Sequence, residues 1–251
     1  MGGDGVPMPR FFVDKSNVTA DSVNITGDDV NHIKRVLRLR PGEIITVNDL
    51  DGTDYQVKLE SFDEESIYGS IISSCPNTTE SMLDITLFQG LPKSDKMDLI
   101  IQKSVELGVK KIVPVLTERT IVKISGEKDA RNKVVRWQRI ALEAAKQCNR
   151  GFIPQVVAPV DFDEALKMAA EAELGIIPYE KEEEARMKSH LKSGIRTVAV
   201  MIGPEGGFSE GEVQRAIDAG IKPVTLGPRI LRTETAGIVA LSIIGYEIGD
   251  I

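Results

Sequence analysis

Ile202-Gly203-Pro204-Glu205-Gly206-Gly207-Phe208-Ser209 decides the class of this chain, because it joins an apolar run, Thr197 to Ile202, to a helical one, Ser209 to Ala219. The apolar run reads as a buried strand. Three glycines and a proline within five positions bring bare backbone to its carboxyl end, where ligands bind in open α/β sheets. Ser209, with Glu212 three residues on, has the form of a capping box that sets the start of the next helix. A plain tight turn is the competing reading. It is not a phosphate loop, since no Gly-Lys-Ser/Thr follows and the Gly-x-Gly-x-x-Gly order is absent; phosphate at the helix N-terminus stays open as a reading, against the repulsion of Glu205 and Glu210.

A second corner of the same kind is Leu226-Gly227-Pro228-Arg229-Ile230-Leu231-Arg232-Thr233-Glu234-Thr235-Ala236, which again follows a strand, Val224 to Leu226, and opens a helix, Thr235 to Ile248. Facing one another, the two corners would enclose a pocket. Arg229 and Arg232 would there pin a phosphate or polarise a carbonyl, the alternative being ordinary solvent-facing arginines. Working back along the chain, strands at Asp84 to Phe88, Lys111 to Leu116 and Leu174 to Pro178 alternate with helices at Ser94 to Leu107 and Lys133 to Cys148. This alternation predicts an α/β domain with a mostly parallel sheet.

Before Asp84 the pattern changes. Asp28 and Asp29 sit at a helix start, Val30, Ile33 and Leu37 fall at helical spacing, and Pro41-Gly42 ends the segment, which predicts a short basic helix. Glu43 to Asn48, Tyr55 to Leu59 and Ser66 to Ile72 are short β-rich runs divided by turn signals, as in a small barrel or curled sheet. The polar stretch around Pro76-Asn77-Thr78-Thr79 reads as a linker. The expected organisation is therefore a small β-domain over 1–73, a linker over 74–82 and an α/β domain over 83–251.

The 251 residues are 41 % hydrophobic and 27 % charged, the balance of a globular chain and not of a disordered one. Cys75 and Cys148, His32 and His190 are too scattered for a zinc site, and this cysteine usage fits a reducing cytoplasm. The opening Met1 to Val13 lacks the pattern of a signal peptide. Val198 to Ile202 stops at Gly203-Pro204 and Ile238 to Ile248 is broken by Ser242, Gly245 and Glu247, so neither reaches the roughly 18 apolar residues of a membrane span.

The net charge of -7 argues against a crude nucleic-acid binder, but the charge is uneven. Through Glu80 there are 7 basic against 14 acidic side chains, and yet Val30 to Gly42 holds Lys34, Arg35, Arg38 and Arg40 with no acid. A second basic stretch, Arg131 to Arg150, places Arg136, Arg139, Glu143, Lys146 and Arg150 on one helical face. A solvated face supported by ion pairs to Glu143 competes with nucleic-acid binding there. Trp137 and Phe152 would either stack on a base or belong to the core, and His32 either contacts RNA or is structural.

Met8-Pro-Arg-Phe-Phe-Val13, His32-Ile-Lys-Arg-Val-Leu-Arg38, Arg139-Ile-Ala-Leu-Glu-Ala-Ala-Lys-Gln147 and above all the two glycine-proline corners resemble the family of 16S ribosomal RNA (uracil-N3)-methyltransferases, in the SPOUT superfamily. The resemblance spans nearly the whole chain in order. One departure is the Gly-rich stretch before Met8. The resemblance implies an N-terminal PUA-like β-barrel that binds RNA and a C-terminal α/β domain tied in a trefoil knot, which generic topology rules exclude. It implies S-adenosyl-L-methionine as cofactor, a homodimer through the C-terminal domain, and 16S rRNA of the small ribosomal subunit as substrate in the cytoplasm, with no metal and no membrane.

Carried onto matching positions, the cofactor residues would be Pro178, Tyr179, Ile202, Gly203, Pro204, Glu205, Gly206, Gly207, Leu226, Gly227, Ile230, Leu231, Arg232, Thr235 and Ala236. Arg232 would stabilise negative charge developing on the uracil, and Glu205 would take or relay the proton. RNA would be held by Arg10, His32, Lys34, Arg35, Arg38, Arg40, Arg136, Arg139, Lys146 and Arg150. The alternatives are a SPOUT methyltransferase for another RNA, a non-catalytic RNA-binding or ribosome-assembly protein, and a nucleotide-binding hydrolase. Titration with S-adenosylmethionine separates the enzyme from the binder.

Overall fold

A computed structural model describes residues 8–248. The stretch before Met8, and with it the outer limits 1 and 251 of the two expected domains, lies outside the described residues. The chain divides into two compact units, 8–80 together with Ala145–Ile153, and Ser81–Ala144 together with the residues from Pro154 on.

The first unit is one five-stranded sheet in the order β1-β3-β4-β5-β2, formed by β1 (Arg10–Phe12), β2 (Ser22–Thr26), β3 (Ile44–Asn48), β4 (Thr53–Phe62) and β5 (Ser66–Pro76). Alternating Ile45 and Val47, then Val57 and Leu59, put one face of each strand into a core shared with Phe11, Val23, Ile25 and Ile67. Register shifts between Gln56 and Val57 and between Leu59 and Ser61 bend the long β4–β5 pair. Gly69 sits opposite Leu59 at the bend, where a β-carbon would lie 2.3 Å from Val57 Cγ1. The expected barrel is corrected to an open, curled half-barrel. β1 pairs in parallel with β3, and β1 and β2 are left as the two sheet edges.

Two further expectations change here. The linker does not begin at 74, because β4 starts at Thr53 and its ladder still offers partners to Cys75 and Pro76. The basic segment is only one turn of α-helix, α1 (Asp28–Asn31), which continues as a π-helical turn over His32–Val36. The amide of Leu37 bonds to the carbonyl of His32, 2.9 Å away and five residues back, and Arg38 follows in a left-handed conformation, φ 56°. The wider turn breaks the 3.6-residue phase. Val30 and Ile33 are buried as their spacing predicts, but Leu37 is turned out of the core and Leu39 packs against it instead.

The second unit carries the predicted parallel sheet, in the order β12-β10-β11-β6-β7-β8, with β9 also on β7. Its strands are β6 (Asp84–Gly90), β7 (Lys111–Leu116), β8 (Gln155–Val156), β9 (Val160–Asp161), β10 (Leu174–Pro178), β11 (Thr197–Ile202) and β12 (Lys222–Val224). Between them lie α2 (Lys96–Glu106), α3 (Glu127–Gln147), α4 (Phe162–Ala169), α5 (Glu210–Asp218) and α6 (Thr233–Ile248). Phe88, Val113, Ile177, Ala199 and Met201 form a core with Phe162, Leu166 and Ala169 of α4 and with Val213 and Ala216 of α5. The alternate strand residues, such as Leu87, Val198 and Val200, are equally buried and face the other way, as both faces of a parallel sheet must be.

Helix α4 was not anticipated, although Asp161 caps it by accepting from the amide of Glu164 at 2.8 Å. The strand expected at Val224 to Leu226 is instead β12, which ends at Val224 because the amide of Thr225 turns to the carbonyl of Ala185, 2.8 Å away.

Gly69→Ala is expected to destabilise the first unit by about 1–3 kcal/mol, since a stiff β-branched side chain and a strand carbonyl would both have to move. Urea denaturation of the whole chain checks this, and an unchanged midpoint would show that the β4–β5 pair can relax.

Candidate active site

The three strands β10, β11 and β12 end side by side, and the segments that follow them enclose a cavity of about 440 Å³ in the second unit. After β11 the chain turns on a hydrogen bond from the amide of Gly207 to the carbonyl of Pro204, 2.9 Å. This corner is held at three points. A β-carbon on Gly90, at the end of β6, would lie 2.6 Å from Pro204 Cδ, so only glycine lets the two backbones meet. The Arg119 guanidinium donates to the carbonyl of Gly206 at 2.7 Å. Ser209 and Glu212 complete the capping box at the start of α5, and the other oxygen of Glu212 accepts from the amide of Glu118 at 2.8 Å.

The second corner is tied to the first by one side chain. Thr233 Oγ1 donates to the carbonyl of Gly203 at 2.6 Å and accepts from the Gln89 side-chain amide at 2.9 Å. Gln89 and Thr233 are both buried. Lys96 adds a second tie, with its ammonium 3.0 Å from Glu205 of the first corner and 3.4 Å from Glu234 of the second. Partial burial pushes the Glu205 carboxyl up, but the hydrogen bonds from Lys96 and from the backbone amides of Glu205 and Lys93 outweigh it and hold the group below the ordinary glutamate value. The hydrogen bond to Glu205 in turn holds Lys96 above the usual lysine range.

The cavity is lined by Pro178, Tyr179, Ile202, Gly203, Pro204, Glu205, Gly206, Gly207, Leu226, Gly227, Ile230, Leu231, Arg232 and Ala236, so the corners bring together what the sequence suggested. Thr235 is exposed and does not line it; the inward side chain of that turn is Thr233. Lys96, Glu180, Phe208, Thr225 and Arg229 also contribute. Glu180 directly follows Pro178-Tyr179, a neighbour that the glycine-proline pattern does not reach.

The expected RNA side chains divide differently. His32, Arg35, Arg38 and Arg40 are exposed in the first unit, with His32 edge-on to the Phe11 ring, and Lys34 is hydrogen-bonded to the carbonyl of Asp63. Arg139 is exposed, and Arg136 is exposed but paired with Asp98. Three others are engaged in ion pairs within the unit. Arg10 grips Asp54 through both terminal nitrogens, at 2.7 and 3.0 Å. Lys146 bonds to Asp29 at 2.7 Å and lies over the Phe11 ring. Arg150 is only 3 % exposed and bridges to Glu80 at 2.8 Å. It leaves the helical face because α3 ends at Gln147 and Asn149 turns left-handed, φ 61°. Trp137 belongs to the core.

A model of the RNA methyltransferase domain matches residues 79–245, and a model of the RNA methyltransferase PUA domain matches 25–72. Ribosomal RNA small subunit methyltransferase E of Bacillus subtilis is 34 % identical over 249 residues, covering 96 % of this chain and 97 % of that protein. The chain belongs to this family of RNA methyltransferases. Among solved structures, ribosomal RNA small subunit methyltransferase E from Neisseria gonorrhoeae bound to S-adenosyl methionine is 36 % identical with a TM-score of 0.85, covering 96 % of this chain and 98 % of that one. A methyltransferase from Legionella pneumophila in complex with the same cofactor is 32 % identical with a TM-score of 0.86, over 96 % and 98 % of the two chains.

Thr233→Val keeps the shape but strands the Gly203 carbonyl and one of the two Gln89 amide hydrogens, the other being held by the carbonyl of Gly90. The expected cost is about 1–3 kcal/mol, with a matching loss of cofactor affinity. Calorimetric titration and thermal unfolding check both, and wild-type values in the two would refute the tie.

Because the folded pKa of Glu205 is depressed, its contribution is complete above the ordinary glutamate value and is lost only as pH falls through the lower folded value. The stability of the fold is expected to fall as pH drops below the ordinary glutamate value toward the lower folded one, and Glu205→Gln should remove that part of the acid dependence in thermal unfolding across pH. An acid limb unchanged in the variant would contradict the assignment.

Proposed function

We propose that the protein methylates ring nitrogen 3 of a uridine in the 16S rRNA of the small ribosomal subunit, with S-adenosylmethionine as donor. The observation that carries this reading is the hydrogen bond from Thr233 to Gly203, which closes two glycine-proline corners over one cavity.

The residues present fit the cofactor. About 440 Å³ suits a nucleoside-bearing ligand. Ile202, Leu226 and Leu231 offer apolar walls to a base, and the glycine corners offer bare backbone. The carboxylate of Glu180, at the cavity wall, forms no salt bridge among the described residues, which suits a positively charged ligand. When bound, the cofactor supplies an electrophilic methyl group on sulfur, so the chain needs no nucleophile of its own.

Uracil nitrogen 3 carries a proton at neutral pH and becomes nucleophilic as that proton leaves. Arg232, exposed at the cavity wall, places a fixed positive charge where the uracil oxygens gain negative charge. Glu205 is engaged by Lys96 and Lys93 and is a weak proton acceptor, so its role is to hold the first corner in place. The proton then passes to water. Because nitrogen 3 lies on the pairing edge, the target base must be unpaired when it enters.

Three finer points belong to the same reading. A trefoil knot is supported by the path after β12. Thr225 bridges to Arg186 in the β10–β11 connection and Thr233 then bonds to the carbonyl of Gly203 just past β11, contacts that a chain threaded through that connection would make. A homodimer through the second unit is supported by α6, which is apolar nearly all round. Ala240, Leu241 and Ile244 are buried, yet Tyr246 remains 73 % exposed and Ile230, just before the helix, 89 %. The first unit is the RNA-binding one, and its exposed arginines make binding fall with salt. The substrate places the enzyme in the cytoplasm; among the described residues no helix is long and apolar enough to cross a membrane.

Incubation with labelled S-adenosylmethionine and small subunits from cells lacking their own enzyme should label one uridine at nitrogen 3. Label at another base, or none, would overturn the reading. Arg232→Ala is expected to lower the methylation rate about 100-fold while changing cofactor affinity far less. Equal loss in both would make Arg232 a binding residue only.

A further inference from the structure

The π-helical turn leaves the first unit with an unexplained surface. Val36 is 68 % and Leu37 37 % exposed, adjacent apolar side chains on a basic stretch, Val30 to Gly42, that contains no acid. Helical spacing should have put Leu37 in the core beside Val30 and Ile33. The wider turn, closed by the bond from the Leu37 amide to His32, rotates it outward. Arg38 follows in a left-handed conformation that costs a non-glycine residue about 1–2 kcal/mol. Leu39 takes the place against the core, and Val36 and Leu37 are left in solvent.

What surrounds the pair indicates its partner. Arg35 precedes it, Arg38 and Arg40 follow it, and all three are exposed, with no ion pair to any of them among the described residues. An exposed apolar pair flanked along the chain by exposed arginines outside any ion pair complements a ligand with apolar faces and a negatively charged frame, which is the chemistry of unpaired nucleic-acid bases on their phosphate chain. An acidic protein surface would match the charges but leaves Val36 and Leu37 without a specific counterpart.

We propose that Val36 and Leu37 form an apolar wedge that packs against unstacked bases of the RNA, while Arg35, Arg38 and Arg40 hold the flanking phosphates. The wedge rests on the reading that the protein binds 16S rRNA, and goes beyond it by separating a salt-independent contact from the electrostatic one.

The test measures binding of the full chain to deproteinised 16S rRNA across a salt series. Val36→Ser/Leu37→Ser should weaken binding about tenfold at every salt concentration and leave the slope of log affinity against log salt unchanged. Arg35→Gln/Arg38→Gln should instead flatten that slope. The Ser variant should unfold at the wild-type temperature, both positions being exposed; Val36→Ala/Leu37→Ala, with a smaller loss expected, replaces it if it does not. Wild-type binding by the apolar variants would overturn the wedge alone. Loss of binding to assembled small subunits with none to the bare RNA would also overturn it, by assigning the surface to a ribosomal protein. Wild-type protein that neither binds nor methylates the RNA would overturn the functional reading and the wedge together.

Discussion

The cavity exists because a threonine at the start of the last helix donates to the carbonyl that follows a central strand. Thr233 and Gly203 are far apart in sequence, and each belongs to a segment that ends a strand and begins a helix. A carbonyl just past a strand end has lost its ladder partner and needs another when buried. Thr233 supplies the donor, and Gln89 from β6 satisfies the threonine in turn. One buried chain of polar groups therefore links the ends of β6 and β11 to the start of α6, and the pocket walls follow from it.

Charge is arranged on the same principle of internal commitment. Lys96 lies between Glu205 and Glu234, one carboxylate from each corner, so that the electrostatic tie repeats the hydrogen-bonded one. In the first unit the excess of acid neutralises cations from within. Asp54 holds Arg10, Asp29 holds Lys146 and Glu80 holds Arg150. The arginines left exposed there are Arg35, in the π-helical turn, and Arg38 and Arg40 just after it, on a stretch with no acid. An acidic total charge and a local cationic surface are thus two results of one distribution.

Much of this was legible in the residues. The parallel strands Lys111–Leu116, Leu174–Pro178 and Thr197–Ile202 appear where apolar runs between turn signals predict them, and the capping box of Ser209 and Glu212 forms as written. Both glycine-proline corners line the cavity. The misses share a cause: local pattern carries no information about partners distant in sequence. Lys96 and Glu180 carry no motif, and Arg150 looked like part of a cationic face until the helix ended before it.

The sequence alone determined the main alternation of strands and helices after Asp84, the two chain reversals at glycine and proline, and the basic stretch from Lys34 to Arg40, because periodicity, backbone freedom and charge are properties of neighbouring residues. The tertiary structure decided which threonine reaches which carbonyl, which arginines are consumed by internal carboxylates, and that Leu37 faces solvent. These outcomes depend on hydrogen bonds and ion pairs between groups tens of residues apart, and on one wide helical turn whose register no spacing rule anticipates.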